Sequence, residues 1–441
     1  MDQISPNLSQ LLEAFSGCFR HESFQTFRLM VSAWVVCSGG RTISEVWQAT
    51  GLAGIDHHDR AYSPFASARW AWDDLGCILL RLLVARLVPK GPIWLVVDDT
   101  LCHKRGAKVA FGGFFLDAVS SSKKRKNFRF GLNWVVLGLV VELPFRSDRF
   151  ICLPVLWRVY RKAGVDGHCK RTELAAEMAR LVAGWLADRE CWLVGDCAYT
   201  NAATLENRPA NLGLIGPIRP DAALFATPAP RQPGQRGAPR KRGERLKTPK
   251  EAFEDVVAYP ATESEIELPS GAKKLRTQVM AGVLWYAGAG QERVSVVLVR
   301  DPSGSWKDTA LLVTAPAATA EFAVTGYCRR WSIEVAFRDS KQLLGLHDPH
   351  VRSKASVERA HPMAWFALSL TVLWYAETGK DAMRVQRERP WYSGKVDHTF
   401  TDMLGALRLE QWQARIKGMS GSGKGTQEIL ETLVQWLSAV R

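Results

Sequence analysis

The spacing of hydrophobic residues changes along the chain, and these changes divide it into five regions. Residues 1–90 carry helical patterns, including a capping-box pair, Thr42 and Glu45, and a helix stop at Gly51. Residues 91–220 combine apolar runs of strand length with one amphipathic helix. The pattern predicts a helical N-terminal domain, with possible DNA-end binding or plain helical support as its role, and then an α/β core.

The remaining three regions follow the first part of this core. Residues 221–315 include the stretch RQPGQRGAPRKRGERLKTPK, at 231–250, which is rich in Lys, Arg, Pro and Gly. More strand-like runs follow it. This composition predicts a flexible basic linker and a β-rich insertion. Residues 316–376 hold a helix around Tyr327 and an apolar helix that ends at Ala376, both assigned to the core. Residues 377–441 are expected to form a C-terminal helical region.

Carboxylates follow two of the predicted core strands. The run IWLVVDDT ends in Asp98 and Asp99, and CWLVGDCAY contains Asp196 directly after its apolar part. A third carboxylate, Glu334, lies in the later segment YCRRWSIEVAFRDSK. Three carboxylates that converge suit two divalent cations that clamp the attacking and leaving oxygens of a phosphoryl displacement. Hard oxygen ligands favour Mg²⁺, for which Mn²⁺ can substitute.

The segment around Glu334 predicts a helix with two distinct faces. At about 100° per residue, Tyr327, Arg330, Glu334 and Lys341 all fall within about a sixth of the helix circumference. A separate face is apolar and is expected to be buried; it comprises Ile333, Ala336, Phe337 and Leu344. A solvated stripe with an Arg330–Glu334 ion pair is the simpler interpretation of the polar face. Beside bound metal ions, the cations and the phenol would instead contact phosphates.

Composition favours a polyanionic partner over a membrane. The formal net charge is +14 and the isoelectric point is about 9.5, so nucleic acid is the expected partner. The longest apolar stretch, 362–376, is shorter than the roughly 20 residues that span a bilayer. The N-terminus has no secretory signal pattern. The nine cysteines are scattered, and Cys102, Cys191, Cys197 and Cys328 are interpreted as small apolar residues in a reducing, cytoplasmic environment.

Two further motifs suggest other chemistry. GMSGSGKGT, at 418–426, nearly matches a phosphate-binding loop, but Gly425 stands where Ser or Thr should be, and no strand precedes it. A Gly/Ser turn before a last helix explains it better, although a nucleotide-dependent, DNA-associated ATPase remains an alternative. DHHD, at 56–59, could bind a metal, but a polar loop is the favoured interpretation.

Taken together, the motifs resemble a known family. The spacing Y-x₂-R-x₃-E-x₆-K, with VVDDT and GDCAY before it, resembles the Y-R-E-K signature of DDE transposases from bacterial insertion sequences. The resemblance covers roughly residues 90–375. It implies a ribonuclease H-like catalytic core interrupted by a β-rich insertion. It also implies a dimeric enzyme that hydrolyses double-stranded DNA at transposon ends with two metal ions and joins the 3′-OH to target DNA.

The resemblance also separates the two neighbouring aspartates. Successive strand residues point to opposite faces, and both faces of this strand are apolar, so the pattern alone does not choose between Asp98 and Asp99. The family's D-x-T spacing, counted back from Thr100, selects Asp98 as the metal ligand with Asp196 and Glu334. Asp99 would then cap or pair locally, with Lys104 or Arg105 as the expected partner.

Several other residues are expected to contact DNA. The stretch SSSKKRKNFRFG, at 120–131, carries five cations beside two Phe residues and suits phosphate contacts, with a solvated turn as the alternative: Lys123, Lys124, Arg125, Lys126 and Arg129. Lys170 and Arg171 begin a predicted helix, where its dipole would favour phosphate. In hairpin-forming relatives a Trp in the region of Trp306 stacks on a flipped base, but packing on the insertion is the simpler expectation.

Two other functions remain compatible with the sequence. A ribonuclease H-like nuclease could cut DNA without joining it, and a catalytically silent DNA-binding repressor could retain the fold. The intact set of Asp98, Asp196 and Glu334 argues against the repressor. The sequence does not define the inverted repeat, the target site or whether excision passes through a hairpin.

Overall fold

The computed structural model describes residues 4–122, 124–231, 237–379, 398–421 and 425–431. Its helices are α1 (Pro6–Glu13), α2 (His21–Val36), α3 (Ile43–Ala49), α4 (Asp59–Ala66), α5 (Trp72–Leu87), α6 (Arg171–Trp185), α7 (Ala202–Leu205), α8 (Pro249–Glu254), α9 (Tyr286–Ala289), α10 (Ala320–Cys328), α11 (Trp331–Leu343), α12 (Lys354–Ala360), α13 (Met363–Trp374) and α14 (Phe400–Gly421), with a 3₁₀ turn at Ser16–Cys18 and a π-helical turn at Tyr375–Gly379. Its strands are β1 (Ile93–His103), β2 (Gly113–Leu116), β3 (Phe128–Leu143), β4 (Arg146–Val159), β5 (Cys191–Val194), β6 (Leu212–Pro217), β7 (Thr262–Ile266), β8 (Lys273–Leu284), β9 (Arg293–Arg300) and β10 (Thr309–Val313).

The strands of the described residues form one mixed sheet. Its order is β2-β3-β1-β5-β6-β10-β9-β8-β7, and β4 pairs with β3 along the same edge as β2. The pairs β1–β5 and β5–β6 are parallel, and the other pairs are antiparallel. The carboxyl ends of β1, β5 and β6 therefore meet at one edge of the sheet, which is where ligands bind in open α/β sheets.

The strand-rich stretch after residue 260 extends the core sheet instead of forming a sheet of its own. Leu311 of β10 pairs with Pro217 of β6, and β9, β8 and β7 follow outward. Pairing with β10 covers an edge of β6 that would otherwise present unpaired backbone groups. The described part of the preceding basic stretch also packs on the protein, since the Arg242 guanidinium lies 4.5 Å from the centre of the Phe225 ring.

The N-terminal helices share a hydrophobic core with the C-terminal part of the described chain. The indole of Trp34 in α2 donates a hydrogen bond of 2.9 Å to the carbonyl of Leu344. Gln411 of α14 accepts hydrogen bonds of 3.1 Å from the Ser5 backbone and from the Ser32 hydroxyl. Residues of both regions belong to one contiguous buried cluster. Residues 1–90 are thus helical but do not pack as a separate body.

Two sequence expectations about helices can be compared directly with the structure. All twelve residues of α13 are buried, as the apolar pattern predicts, and no described helix is long and apolar enough to cross a membrane. The first four residues of GMSGSGKGT belong to α14, which continues through Gly421, so only the later residues can form the expected Gly/Ser turn. Residues 422–424 of the same motif lie outside the described residues. Because a helix leads into GMSGSGKGT, the strand that a phosphate-binding loop requires does not precede it.

Candidate active site

Strand β1 presents its two aspartates to opposite faces of the sheet. Asp98 points with Trp94 and Cys102 toward the face covered by α10 to α13, where it meets Arg330. Asp99 points to the other face, where Arg171 of α6 lies 2.8 Å away. The two-residue period of a strand causes this separation. The site therefore depends on which face gathers the other carboxylates.

Asp196 lies in a tight turn directly after β5. Its side chain accepts hydrogen bonds from the backbone N–H groups of Ala198, at 2.8 Å, and Tyr199, at 3.3 Å, which fixes the carboxylate at the turn. Gly195 is required just before it, because a β-carbon there would lie 2.8 Å from that of Tyr199. Asp196 is consequently held at the carboxyl end of β5, next to the carboxyl end of β1.

The segment that carries Tyr327 and Glu334 is broken into two helices, so the single helix expected from the sequence is wrong. The backbone N–H of Arg329 bonds to Gly326 and that of Arg330 bonds to Tyr327, a tighter pattern than the α-helix uses. Gly326 packs closely here, since a β-carbon would lie 2.6 Å from Ile215. The break turns Arg329 toward Trp94, 4.3 Å from the ring centre, and leaves Arg330 facing the carboxylates.

Arg330 connects the carboxylates of two elements. Its guanidinium lies 2.7 Å from Glu334 and 3.5 Å from Asp98, and both the Arg330 and Asp98 side chains are mostly buried. The charges of Glu334 and Asp98 and the Tyr327 phenol raise the pKa of Arg330, although burial opposes them. Burial in turn raises the pKa of Tyr327, and the neighbouring Arg330 opposes that rise. The structure therefore brings Tyr327, Arg330, Glu334 and Asp98 together.

The electrostatics of Asp98 show that Asp196 belongs to the same cluster. Burial, with help from the negative charges of Asp196 and Asp99, raises the pKa of Asp98 to about 7. The Asp99 backbone N–H, which donates to Asp98 at 2.8 Å, and Arg330 oppose this rise. A buried carboxyl group that is crowded by like charges is stabilised by binding a cation.

These residues fit a site for divalent cations. Their contacting atoms are carboxylate oxygens, the ligands that Mg²⁺ and Mn²⁺ favour. The three carboxylates do not all lie within 4.8 Å of one another; among the described residues only His57, His58 and Asp59 are spaced so closely. Arg330 lies between Asp98 and Glu334 and neutralises both carboxylates.

The cluster at His57, His58 and Asp59 has a different character. Its three side chains are between 66% and 78% exposed, and both histidines lie 3.3 Å from Asp59. Asp59 is in the first turn of α4, where the helix dipole favours a negative charge. The contacts are those of a solvated loop before a helix, the interpretation that the sequence favoured.

On the opposite face of β1, Asp99 is fully hydrogen-bonded. It accepts from Arg171 and Asn133, each at 2.8 Å, and from the Tyr199 hydroxyl at 3.0 Å. The expected partners were wrong, because Lys104 instead donates to the carbonyls of His347 and Pro349. Arg171 is exposed where it pairs with Asp99, and its contact with phosphate stays a prediction. Lys170, beside it, is exposed and lies 3.6 Å from Glu173.

Lys341 lies in a second polar cluster farther along β1. Burial lowers the pKa of Lys341, and the charge of Asp117 opposes this change. Nearby, His103 lies 3.2 Å from Asp117, and its backbone N–H donates to the His347 ring at 3.0 Å. Burial and the Lys341 charge lower the pKa of His347 to about 4. The sequence did not indicate His103, Asp117 or His347, since they come from three separate segments without a shared motif.

The other expected DNA contacts fall in exposed turns. Lys124, Arg125 and Lys126 are exposed in the turn before β3, Arg129 is exposed within β3, and Lys123 lies outside the described residues. Trp306, in the turn between β9 and β10, is 37% exposed and has the Lys273 ammonium 4.8 Å from its ring centre. Cys197 is exposed, so its interpretation as an apolar core residue is wrong, whereas Cys102 and Cys191 are buried.

Comparison with known proteins assigns the class. Residues 14–278 match the family model described as DDE superfamily endonuclease, and the chain belongs to that family. The matched range includes Asp98 and Asp196 and ends before Glu334. Enzymes of this family act as metal-dependent nucleases or transposases. The protein is thus a member of the DDE superfamily of endonucleases.

The other comparisons add less. No curated protein matches the chain. A cryo-EM structure of the piggyBac transposase synaptic complex with hairpin DNA matches with a TM-score of 0.45 and 10% sequence identity, over 96% of this chain and 77% of the other.

Proposed function

We propose that the protein is a DNA transposase. In this proposal it binds the inverted-repeat ends of its element, hydrolyses DNA phosphodiesters there and transfers the 3′-OH ends into target DNA. The observation that carries the proposal is the gathering of Asp98, Asp196, Glu334 and Arg330 at the carboxyl edge of the sheet, in a chain of the DDE superfamily endonuclease family.

The central strands support a ribonuclease H-like core. Along β4-β3-β1-β5-β6, the first three strands are antiparallel and the last two run parallel to β1. This is the arrangement expected for the proposed catalytic core, with Asp98 on the middle strand and Asp196 after its parallel neighbour. The four strands β7 to β10 would then correspond to the β-rich insertion, which joins the same sheet.

The proposed roles follow from the contacts. Asp98, Asp196 and Glu334 would hold two Mg²⁺ ions, or Mn²⁺ in their place, and these ions would supply charge stabilisation and an activated water. Arg330 neutralises two of the carboxylates in the structure described here, and it can turn to a DNA phosphate once cations hold them. Tyr327 would donate its hydroxyl to the same phosphate. Lys341, seven residues beyond Glu334 on α11, would contact the backbone about 10 Å away.

Other contacts would extend the DNA path along the same edge. Val96, Val194, Ile215 and Val313 are aligned across β1, β5, β6 and β10, and this register places the start of β10 at the edge that holds Asp98. Three strand spacings separate β10 from β1, so the turn with Trp306 is displaced sideways from β1 by about 14 Å. Trp306 would stack there on a flipped base of the DNA. A homodimer on paired ends, in the bacterial cytoplasm, completes the model.

An assay with the DNA that flanks the gene would test this function. Purified full-length protein, Mg²⁺ or Mn²⁺, and a plasmid that carries both flanks should give cleavage at the ends of short inverted repeats. A pre-cut duplex from the same flank should then join to a second plasmid. Cleavage without joining would establish the nuclease alternative, and specific binding without cleavage would establish the repressor.

A further inference from the structure

The hairpin formed by β2 and the start of β3 has an apolar outer face. Phe114 pairs with Phe130 and Leu116 pairs with Phe128 across the two strands, so all four side chains lie on one face. Phe114 is 63% exposed, Phe128 61% and Leu116 45%. The rings of Phe114 and Phe130 meet edge to face at 5.5 Å. We name these four residues the hairpin face.

The opposite face of the hairpin packs on the protein. Phe115 is 7% exposed, its ring lies 5.9 Å from that of Tyr160, and the Lys162 ammonium is 5.0 Å from its centre. A hairpin with one packed face normally presents polar residues on the other. Here the outer face is apolar as well, and a contiguous exposed apolar face marks a binding surface.

The charges around the hairpin face favour DNA as its occupant. The turn that joins the two strands carries Lys124, Arg125 and Lys126, all exposed, whereas Arg129 pairs with Phe115 and points to the opposite face. The chain as a whole has a net charge of +14. A second copy of so basic a chain would be repelled at this surface, whereas a polyanion would be attracted. Apolar side chains among phosphate-binding cations suit contact with the bases.

The hairpin projects from the edge of the sheet that holds the proposed active site. In β3, Val136 pairs with Asp98 and Gly131 pairs with His103, so the hairpin begins just beyond the carboxyl end of β1. Phe130 and Phe128 lie six and eight residues from Val136, or about 20 to 26 Å at about 3.3 Å per residue. This distance spans roughly six to eight base pairs of duplex DNA.

We propose that the hairpin face inserts apolar side chains between base steps of double-stranded DNA, about six to eight base pairs from the scissile phosphate. Apolar wedges of this kind unstack a base step and bend the duplex. The flanking cations hold the adjacent phosphates while Phe114 and Phe128 reach the bases. This inference deepens the proposed function and rests on it, because it names how the same active site would grip its DNA.

The test uses 40-base-pair duplexes made from the gene's flanking DNA, each with one 2-aminopurine at a different distance from a 3′-OH end. The full-length protein is added in EDTA, so that no cleavage occurs. Binding of the wild type should raise 2-aminopurine fluorescence about six to eight steps from the end. The double variant Phe114→Ala/Phe128→Ala should remove this signal and weaken duplex binding by roughly 10-fold or more.

Matched variants separate base contacts from phosphate contacts. Phe114→Ala/Phe128→Ala should leave the salt dependence of binding unchanged, whereas Lys124→Ala/Lys126→Ala should flatten it by about one unit of slope per lost contact. Val257→Ala, at an exposed site near the opposite end of the sheet, should change neither. Because the substituted side chains are exposed, melting temperatures should match that of the wild type.

Three results would overturn the inference, and they point to different causes. If the wild type binds no duplex at all, the proposed function fails with it. If the wild type binds but the Phe variant gives the same fluorescence and affinity, only the wedge fails. If sedimentation without DNA shows a wild-type dimer that the Phe variant lacks, the hairpin face belongs to a second copy of the chain.

Discussion

Asp98 and Asp99 are neighbours in one strand, yet their surroundings differ in every respect that matters for catalysis. Asp98 faces Asp196 and an arginine shared with Glu334, and burial raises its pKa to about 7. Asp99 faces Arg171, Asn133 and the Tyr199 hydroxyl, three donors that satisfy its carboxylate oxygens. The comparison teaches that crowding of negative charge around Asp98 favours the proposed cation site, whereas the full set of donors around Asp99 marks a structural carboxylate.

The largest expected effect is a loss of cleavage on the Asp98 face of β1, where Glu334 lies. Glu334→Gln should reduce cleavage by more than about 100-fold, beyond the 10–100-fold typical of residues that only support a metal ligand. End binding, measured by gel shift, should stay within a few-fold of the wild type, because DNA affinity comes mainly from phosphate contacts. If Glu334→Gln loses DNA binding as much as cleavage, Glu334 is not a metal ligand.

The raised pKa of Asp98 predicts a pH-dependent stability in metal-free protein. An unfolded Asp has a pKa near 3.9, so the folded state holds its proton more tightly, and ionisation as the pH rises to 7 disfavours folding. Asp98→Asn should therefore melt several degrees above the wild type at pH 8 in EDTA, and the gap should shrink as the pH falls toward 4. Asp99→Asn should melt below the wild type at pH 8. A difference in melting temperature between Asp98→Asn and the wild type that does not depend on pH would contradict the raised pKa of Asp98.

On the Asp99 face of β1, removal of one hydrogen bond should lower the free energy of unfolding by a modest amount. Tyr199→Phe removes one hydrogen bond to the charged Asp99, worth about 1.5–3 kcal/mol. Denaturant unfolding at pH 7 should show this loss. Tyr62→Phe, at a partly exposed position, serves as the control and should cost less than about 0.5 kcal/mol. No difference between the two variants would show that Tyr199 does not anchor Asp99.

The smallest expected effects are on the salt dependence of DNA binding, when the cations on the Asp98 face of β1 are replaced. Arg330→Ala and Lys341→Ala should each reduce the salt slope of DNA binding by about 0.9, the value for one lost phosphate contact. Arg338→Ala, a matched cation on the same helix that pairs with Asp339, should leave the slope unchanged. Unchanged slopes for Arg330 and Lys341 would place both on an ordinary ion-paired surface.

Local patterns predicted much of the core but not how its parts meet. The apolar runs located β1, β5 and α13, and the carboxylates at strand ends indicated the site. The break before α11 could not be predicted, because it depends on Gly326 packing against Ile215, more than one hundred residues earlier. The Asp99–Arg171 pair likewise joins residues 72 positions apart. Contacts of this range depend on the fold, and spacing in the sequence carries little information about them.

Cleavage by Asp98→Asn and Asp99→Asn, compared side by side, tests the central claim most directly. Both variants should be assayed with Mg²⁺ on pre-formed end DNA, with folding checked by melting temperature. Asp98→Asn should show no measurable cleavage, because it removes a ligand from the crowded face. Asp99→Asn should retain measurable cleavage, because its carboxylate only braces the strand. The reverse ranking would place the metal ligand at Asp99 and contradict the account.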